Sequence, residues 1–414
     1  MGSMTAPEQR RYGRRHVLAG AGGLLAGALL AACRADSPAP SPGTASPSPG
    51  KTSGHTSPPP ATEPSPSATS VPVEVMVGQM LMVGFRGTSL APDNPIVADL
   101  RDRHLGAVVL FAHDVPSGDP VRNIDSPQQL SELTAALQAE AHSPLLVATD
   151  QEGGRVARLG PEHGFPATAS AAELGAADDP AATRQAAAAI ARTLRDAGIN
   201  LNLAPVVDVN LNPANPVIGA LDRSFSADPA VVAEQAAAFV QGHHDEGVLT
   251  SLKHFPGHGS SRGDSHAGFV DVTDVWSPVE LEPYRELIHG GLADSVMVAH
   301  VFNAELDPDL PASLSHRTIT GLLRDELGYD GVVVSDDLQM RAITDGWSLE
   351  EAIRLAVLAG TDLLAFSNNI DFFTPDLGAR AYDALMALVA SGEVSEERLA
   401  QSYERLARLK ARAG

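Results

Sequence analysis

The chain has 414 residues, enough for one large domain or two small ones even when its low-complexity start is set aside. Its formal net charge of −22 argues against nucleic acid as a partner, because a surface that binds nucleic acid must be basic. Aromatic residues make up 4% of the chain, which argues against a long cleft lined by stacking rings.

The first 33 residues have the pattern of a bacterial export signal. Basic residues, including Arg14 and Arg15, precede an apolar, glycine-rich stretch that is too short to favour a membrane span. The stretch ends in Leu30-Ala-Ala-Cys33, which resembles a lipobox, and Cys33 is the only cysteine in the chain. Because its flanks form a signal sequence, we expect Cys33 to be lipidated rather than buried in a core. The sequence predicts an exported, membrane-anchored protein, and the arginine pair leaves twin-arginine export open as a route.

Residues 34–70 consist mainly of Ser, Pro, Thr and Gly. This composition cannot bury a core and predicts a disordered linker. Residues 71–414 then form a single domain. No cysteine is left there for a disulfide, so its stability must come from a hydrophobic core.

Short apolar runs alternate with longer amphipathic segments from residue 79 onward. The predicted strands are Gln79–Phe85, Ala107–Phe111, Leu145–Thr149, Leu201–Ala204, Leu249–Leu252, Ser295–Ala299, Val332–Ser335 and Leu363–Phe366. The helical segments between them include Pro127–Ala141, Ala181–Ala197, Pro229–Glu246, Val279–His289, Ile319–Leu327 and Leu349–Leu358. Eight strands alternating with helices predict a parallel (β/α)₈ TIM barrel, with a doubly wound sheet as the alternative.

Polar residues follow most of these predicted strands. They are Asp150 after the third strand, Asp208 after the fourth, Lys253 and His254 after the fifth, His300 after the sixth, Asp336 after the seventh, and Asn368 and Asn369 after the eighth. In a barrel these side chains converge at one rim, which is the catalytic face of that fold.

The segment from Lys253 to His266 concentrates titratable groups in a loop. It reads Lys-His-Phe-Pro-Gly-His-Gly-Ser-Ser-Arg-Gly-Asp-Ser-His, and its proline and glycines do not support a helix. Asp264 and His266 are two residues apart, so in an extended segment they point the same way. The aspartate can then fix the tautomer of the imidazole and make it a better base. The alternative is an Asx-turn beside a surface histidine.

The same loop also has the atom types of a zinc site, in His254, His258, Asp264 and His266. The Pro256-Gly257 step separates the first two histidines, so they cannot share the helix face that His-x-x-x-His sites use. We therefore expect no metal and no other cofactor.

A second signal lies at the end of the seventh predicted strand. The apolar run from Val332 to Val334 ends in Ser335, Asp336 and Asp337. We expect Asp337 to cap the next helix, which leaves Asp336 to point into the rim as a carboxylate nucleophile. The alternative is that Asp336 merely begins that helix.

Two further parts of the sequence are candidates for binding the substrate rather than for catalysis. The segment Asp150-Gln-Glu-Gly-Gly-Arg-Val-Ala-Arg158 follows the third strand, and its carboxylate and guanidinium groups suit hydrogen bonding to hydroxyls. A salt-bridged turn is the alternative. Arg223 is the other candidate, with an ordinary surface arginine as its alternative.

These residues lie in segments that resemble a known family. The segments are Thr149-Asp-Gln-Glu-Gly-Gly-Arg155, Asn202-Leu-Ala-Pro-Val-Val-Asp-Val209, Lys253-His-Phe-Pro-Gly-His-Gly259, Asp264-Ser-His266 and Ser335-Asp-Asp-Leu338. Together they resemble glycoside hydrolase family 3, in particular its β-N-acetylglucosaminidase branch. The resemblance runs in order over roughly residues 72–390, and the segment that begins at Lys253 is highly specific.

The resemblance implies a TIM barrel, a retaining mechanism and a role in cell-wall turnover, with muropeptides or small saccharides as substrates. By that match, Asp336 is the nucleophile and His266 is the acid/base, assisted by Asp264. The residues that would hold the terminal sugar are Asp150, Arg158, Arg223, Lys253 and His254.

Many members of the family take a glutamate acid/base from a second domain. The sequence after the eighth predicted strand is only helix-like, so we expect the acid/base to come from the barrel loops. This expectation favours His266 and argues against the β-glucosidase branch. A phosphorylase, in which phosphate replaces water, stays open. A non-catalytic sugar-binding lipoprotein would not need both Asp336 and the Asp264–His266 pair.

Overall fold

The computed structural model describes residues 71–413. The predicted signal sequence, Cys33 and the linker of residues 34–70 lie outside the described residues, as does Gly414. Lipidation and the domain boundaries therefore stay predictions. Within the described part of the chain, no helix is both long and apolar enough to cross a membrane.

Eight parallel strands form one sheet. They are β1 (Leu81–Gly84), β2 (Ala107–Val109), β3 (Leu146–Thr149), β4 (Leu201–Asn202), β5 (Leu249–Phe255), β6 (Ser295–Val298), β7 (Val332–Ser335) and β8 (Leu364–Phe366). Their order in the sheet is β7-β6-β5-β4-β3-β2-β1-β8. A parallel bridge between Val334 and Leu363 joins β7 to β8, so the sheet closes on itself. The predicted TIM barrel is confirmed, and the doubly wound alternative is wrong.

Helices cover the outside of the barrel. They are α1 (Val73–Gln79), α2 (Pro95–Asp102), α3 (Pro127–Glu140), α4 (Ala171–Ala177), α5 (Pro180–Asp196), α6 (Pro229–His244), α7 (Glu282–His289), α8 (Arg341–Thr344), α9 (Leu349–Ala359), α10 (Leu377–Ala390) and α11 (Glu396–Lys410), with a wider π-helix at Arg317–Glu326. Proline opens α3, α5 and α6, each after a capping Ser or Asp whose side chain accepts a backbone N–H of the first turn. Proline fits there because its missing N–H has no partner in the first turn.

The barrel strands are buried along nearly their whole length. In β7 all four residues are buried, and Tyr284 of α7 packs edge-on against Phe255 of β5, with ring centroids 5.1 Å apart. Burying one such side chain contributes about 1.5–3 kcal/mol. The strands are thus rigid supports for the polar residues at their carboxyl ends.

Two short strand pairs shape the carboxyl-terminal rim. Gln151–Gly153 pairs with Val156–Ala157 directly after β3. Val270–Asp271 pairs in parallel with Val301–Phe302. The second pair fixes the far end of the long loop that follows β5.

Candidate active site

A cavity of about 550 Å³ opens at the carboxyl-terminal rim of the barrel. It is lined by all eight residues that the sequence predicts as catalytic or substrate-binding: Asp150, Arg158, Arg223, Lys253, His254, Asp264, His266 and Asp336. In a TIM barrel this face carries the active site. The fold therefore brings the predicted set together.

The floor of the cavity is a cluster of buried charges around Lys253. Its Nζ lies 2.7 Å from Asp150 Oδ1 and 2.7 Å from Glu152 Oε1, and its side chain is 2% exposed. Burial opposes each charge, but the opposite charges prevail. They raise the pKa of Lys253 and hold the pKa of Asp150 below its usual value. We conclude that the cluster is ionised at neutral pH.

Arg223 belongs to the same cluster and is not a surface arginine. Its Nε and Nη2 donate to the two carboxylate oxygens of Glu152, each at 2.7 Å. Although burial raises the pKa of Glu152, Arg223 and Lys253 lower it to about 2. No individual role is predicted for Glu152 from the sequence, although it lies in the Asp150–Arg158 segment. Its place between two cations depends on Lys253 of β5 and on Arg223, both of which are distant in sequence.

Arg158 joins the cluster more loosely. Its Nη2 lies 3.3 Å from Asp150 Oδ2, and its side chain is 33% exposed. The guanidinium also lies over the ring of Phe111, 5.6 Å from the centroid. A salt bridge within the segment therefore exists, as the alternative proposed, and it lines the cavity.

A carboxylate with no predicted role orients His254. Asp208 Oδ2 lies 2.7 Å from His254 Nδ1, and Asp208 Oδ1 accepts the backbone N–H groups of His254 and His258. Arg223 Nη2 lies 3.3 Å from His254 Nε2, so His254 donates through Nδ1 and accepts through Nε2. Burial opposes the charge on Asp208, but the two histidines hold its pKa below its usual value. In the sequence, the position of Asp208 after the fourth predicted strand was the feature that could indicate a place in the site.

Lys253 and His254 lie within β5. The prediction that they follow this strand is wrong, because β5 runs to Phe255. A regular strand points successive side chains to opposite faces, yet both of these side chains line the cavity. The register with β6 shifts between Leu252 and Phe255, and this irregularity allows two consecutive residues to reach the site.

Asp336 directly follows the buried strand β7. It is 9% exposed, and its Oδ1 accepts the backbone N–H of Asp337 at 2.8 Å. Burial raises its pKa, but His300, His254 and His266 hold the pKa below its usual value. Asp336 is therefore an ionised carboxylate facing the cavity, which is the state that a nucleophile needs.

Asp337 does not cap a helix, contrary to the prediction. Its Oδ1 accepts Gln339 N at 3.0 Å, its Oδ2 contacts Ser367 Oγ, and α8 begins only at Arg341. Burial raises the pKa of Asp337 to about 6. Two adjacent, equally buried aspartates thus titrate differently, because the histidines lower the pKa of Asp336 more than its partners lower that of Asp337.

Asp264 and His266 form a hydrogen-bonded pair. Asp264 Oδ1 lies 2.8 Å from His266 Nδ1 and also accepts His266 N at 2.9 Å. The Asx-turn and the oriented imidazole, which the sequence left as alternatives, therefore occur together. With Nδ1 held by Asp264, Nε2 is the atom left for proton transfer. The His266 side chain is 54% exposed, so incoming substrate can reach it.

The loop that carries this pair is bonded at its tip. Ser265 is buried, and its carbonyl accepts Ala342 N in α8 at 3.2 Å. Because α8 comes shortly after Asp336, this bond joins the Asp264–His266 loop to the chain that carries the carboxylate.

The zinc alternative gains no support from the donor geometry. Among residues 71–413, no group of three or more His, Cys, Asp or Glu side chains is placed to hold a metal ion. The rings of His254 and His258 are 6.0 Å apart and nearly perpendicular. His254 Nδ1 is already bonded to Asp208.

Comparison with known proteins identifies the family. Residues 72–409 match the family described as Glycosyl hydrolase family 3 N terminal domain. The chain belongs to glycoside hydrolase family 3. The predicted resemblance is confirmed, and the barrel agrees with the solved structures of family 3 proteins that it matches.

Relatives within family 3 carry informative names. Beta-hexosaminidase A of Pseudoalteromonas piscicida is 35% identical over 386 residues, which cover 83% of this chain and 62% of that protein. The structure of a family 3 β-N-acetylglucosaminidase from Paenibacillus sp. is 40% identical, with a TM-score of 0.76, and the match covers 83% of this chain and 63% of that one. The structure of a β-N-acetylhexosaminidase from Beutenbergia cavernae is 31% identical, with a TM-score of 0.72, over 83% of this chain and 99% of that one.

Proposed function

We propose that this chain is a retaining β-N-acetylglucosaminidase that removes a terminal N-acetylglucosamine from small saccharides. The observation that carries the proposal is that ionised Asp336 and the Asp264–His266 pair line one cavity, beside a cluster of buried charges. The names of the relatives support the choice of sugar, since they are β-hexosaminidases and β-N-acetylglucosaminidases.

In the first step, the Asp336 carboxylate attacks the anomeric carbon while His266 gives its proton to the glycosidic oxygen. The bond between these two substrate atoms breaks, the leaving group departs neutral, and a glycosyl ester forms on Asp336. Asp264 stabilises the imidazolium that this step requires and fixes its orientation.

In the second step, His266 is neutral and acts as a base. It takes a proton from water, the water oxygen bonds to the anomeric carbon, and the ester to Asp336 breaks. The sugar leaves with its β configuration, and the carboxylate and imidazolium are restored. One group serves as acid and then as base, so a second carboxyl is not needed in this scheme.

The buried cluster would hold the terminal sugar. Asp150 and Nε2 of His254 offer acceptors, and Lys253, Arg158 and Arg223 offer donors, to hydroxyl and amide groups of the ring. Because these groups already neutralise one another in a buried site, the substrate meets an arrangement that needs little reorganisation.

We extend the proposal to the natural substrate and location on the basis of the sequence. Lipidation at Cys33 would place the domain outside the cytoplasm, attached to the membrane through residues 34–70. Saccharides and muropeptides released from peptidoglycan are the N-acetylglucosamine compounds expected at that location. Cell-wall turnover is therefore the proposed role.

The deciding experiment compares three conditions on purified residues 71–414. The protein is given an aryl β-N-acetylglucosaminide, the matching aryl β-glucoside, and the first substrate with added inorganic phosphate. We expect hydrolysis of the N-acetylglucosaminide, much slower hydrolysis of the glucoside, and free sugar as the product in phosphate. Proton NMR should show the β anomer released first.

Any other result would favour a different function. Faster hydrolysis of the glucoside would favour a β-glucosidase. A sugar phosphate as the main product would favour a phosphorylase. Initial release of the α anomer would rule out the double displacement. Binding of N-acetylglucosamine without turnover of either glycoside would leave the sugar-binding lipoprotein.

A further inference from the structure

A buried glutamate lies beneath the start of the loop that carries Asp264 and His266. Glu280 lies in the short 3₁₀-helix Pro278–Leu281, just before α7, and is fully buried. It is outside the cavity lining, and the proposed chemistry gives it no step. A buried carboxyl group needs a reason to be there, because desolvation costs free energy unless its oxygens are well bonded.

The bonds of Glu280 all go to one turn of the backbone. Its Oε2 accepts Gly259 N at 2.9 Å and Ser260 N at 3.4 Å, and its Oε1 lies 2.6 Å from Ser260 Oγ. Gly259 and Ser260 are both buried, so water could not take the place of Glu280 as the acceptor for their N–H groups. An unsatisfied buried donor costs about 1–3 kcal/mol.

The turn packs so closely against its surroundings that two of its residues must be glycine. A Cβ at Gly257 would lie 2.5 Å from the Glu280 Cβ, and a Cβ at Gly259 would lie 1.8 Å from the carbonyl oxygen of Val209. Gly257 also has φ of +123°, which favours glycine. Gly257 therefore lets the chain approach Glu280 closely, and Gly259 lets it approach the backbone of Val209.

A second side chain, from the loop that follows β4, holds the same turn. Asn215 Nδ2 donates to His258 O at 2.7 Å and lies 3.0 Å from Ser261 Oγ. The base of the loop is thus fixed on both sides, four residues before Asp264. Downstream, the bond from Ala342 N to Ser265 O fixes the tip.

We infer that Glu280 is a positioning residue, which holds the base of the loop at residues 258–269 and thereby sets where the Asp264–His266 pair stands over the cavity. The kinetic part of this inference rests on the proposed function. The structural part does not, because it concerns the backbone of the loop.

The surroundings of Glu280 indicate which substitution preserves this role. The titratable and polar side chains that face it are Asp208, Tyr284 and Ser260. Burial raises the pKa of Glu280 to about 7, so near neutral pH much of the carboxyl group is uncharged. A glutamine has the same shape, accepts the two amides through Oε1 and donates to Ser260 Oγ through Nε2. Alanine removes all three contacts.

The test uses Glu280→Ala, Glu280→Gln and the matched control Asp294→Ala. Asp294 is also a buried carboxylate, directly before β6, and it holds the start of β5, where it accepts Thr250 N at 2.9 Å and Thr250 Oγ1 at 2.8 Å. Its removal destabilises the same strand without touching the loop.

Two measurements are made on each folded variant. The first is the pre-steady-state glycosylation rate with an N-acetylglucosamine disaccharide and with a dinitrophenyl N-acetylglucosaminide. The second is amide hydrogen exchange over residues 258–269, which needs no substrate.

For Glu280→Ala we expect a loss of about 100-fold with the disaccharide and less than about 10-fold with the dinitrophenyl glycoside, because a misplaced acid matters most for a poor leaving group. Exchange over the loop should accelerate. Glu280→Gln should stay within about threefold of wild type, and Asp294→Ala should lower stability without either selective change.

Equal losses on both substrates, or unchanged exchange in Glu280→Ala, would overturn the inference. If that variant does not fold, Glu280→Asp takes its place, with the same selectivity expected because a shorter side chain cannot reach the amides. If wild type turns over neither substrate, the proposed function fails, while the exchange experiment still decides the role of Glu280.

Discussion

The adjacent aspartates after β7 offer a matched pair for testing the nucleophile. Asp336 is 9% exposed and Asp337 is 8% exposed, so neutralising either one changes a carboxylate of equal burial. We expect Asp336→Asn to lose nearly all turnover, because an amide cannot form the glycosyl ester. Asp337→Asn should keep most of the activity, since Asp337 serves Gln339 N and Ser367 Oγ rather than the substrate.

The same pair predicts a difference in the pH dependence of stability. Burial raises the pKa of Asp337 from 3.8 to about 6, and that difference corresponds to about 3 kcal/mol. An acid whose folded pKa is raised favours the folded state at low pH. Its contribution is complete below pH 3.8, falls as the pH rises, and is lost above about pH 6.

Urea unfolding of wild type and Asp337→Asn at pH 4 and pH 8 measures this contribution. The free energy of unfolding of the variant, relative to that of wild type, should rise by up to about 3 kcal/mol between pH 4 and pH 8. The reason is that asparagine does not ionise, whereas Asp337 does. Activity assays use the aryl N-acetylglucosaminide. Similar activity losses in both variants, or a stability gap that does not change with pH, would refute this reasoning.

Three further predictions concern the other parts of the site. His266→Ala should impair glycosylation strongly with a disaccharide and much less with a dinitrophenyl glycoside, and azide should partly rescue deglycosylation; an equal fall for both leaving groups would exclude His266 as the acid/base. Lys253→Met should lower the free energy of unfolding by about 3 kcal/mol, because it leaves Asp150 and Glu152 with one cation fewer. A change below about 1 kcal/mol in urea titrations would contradict the stabilising role of this charge cluster. Chelators should leave turnover unchanged, whereas activity that disappears with chelator and returns with zinc would establish a metal site.

Much of the fold could be predicted because its signals are local. Most barrel strands are buried apolar runs, and helices α3, α5, α6, α9 and α11 each begin after a capping Ser or Asp. Asp150 and Asp336 could be found because parallel strands deliver the residues that follow them to one rim. Asp336 and the Asp264–His266 pair carry further local information in the valine strand and the two-residue spacing.

What could not be predicted depends on partners that are distant in sequence. The sequence around Glu152 and Asp208 does not reveal their roles, because their partners Lys253, Arg223 and His254 come from distant parts of the chain. The burial of Asp337 depends on Ser367 after β8, so its neighbouring sequence suggested a helix cap instead. The register shift that extends β5 is likewise set by its pairing with β6 and leaves no mark in the apolar pattern.

The proposed nucleophile and acid/base lie on parts of the molecule that differ in how well they tolerate substitutions. Asp336 extends from a barrel strand, where substitutions disturb the core, whereas His266 stands on an exposed loop that contributes little to packing. Natural selection can therefore vary the exposed residues of this loop, such as Arg262, Ala267 and Phe269, at small cost to folding. Descendants of such a chain can acquire new leaving-group preferences, or a different proton donor, while the sugar ring and its attachment to the enzyme stay the same.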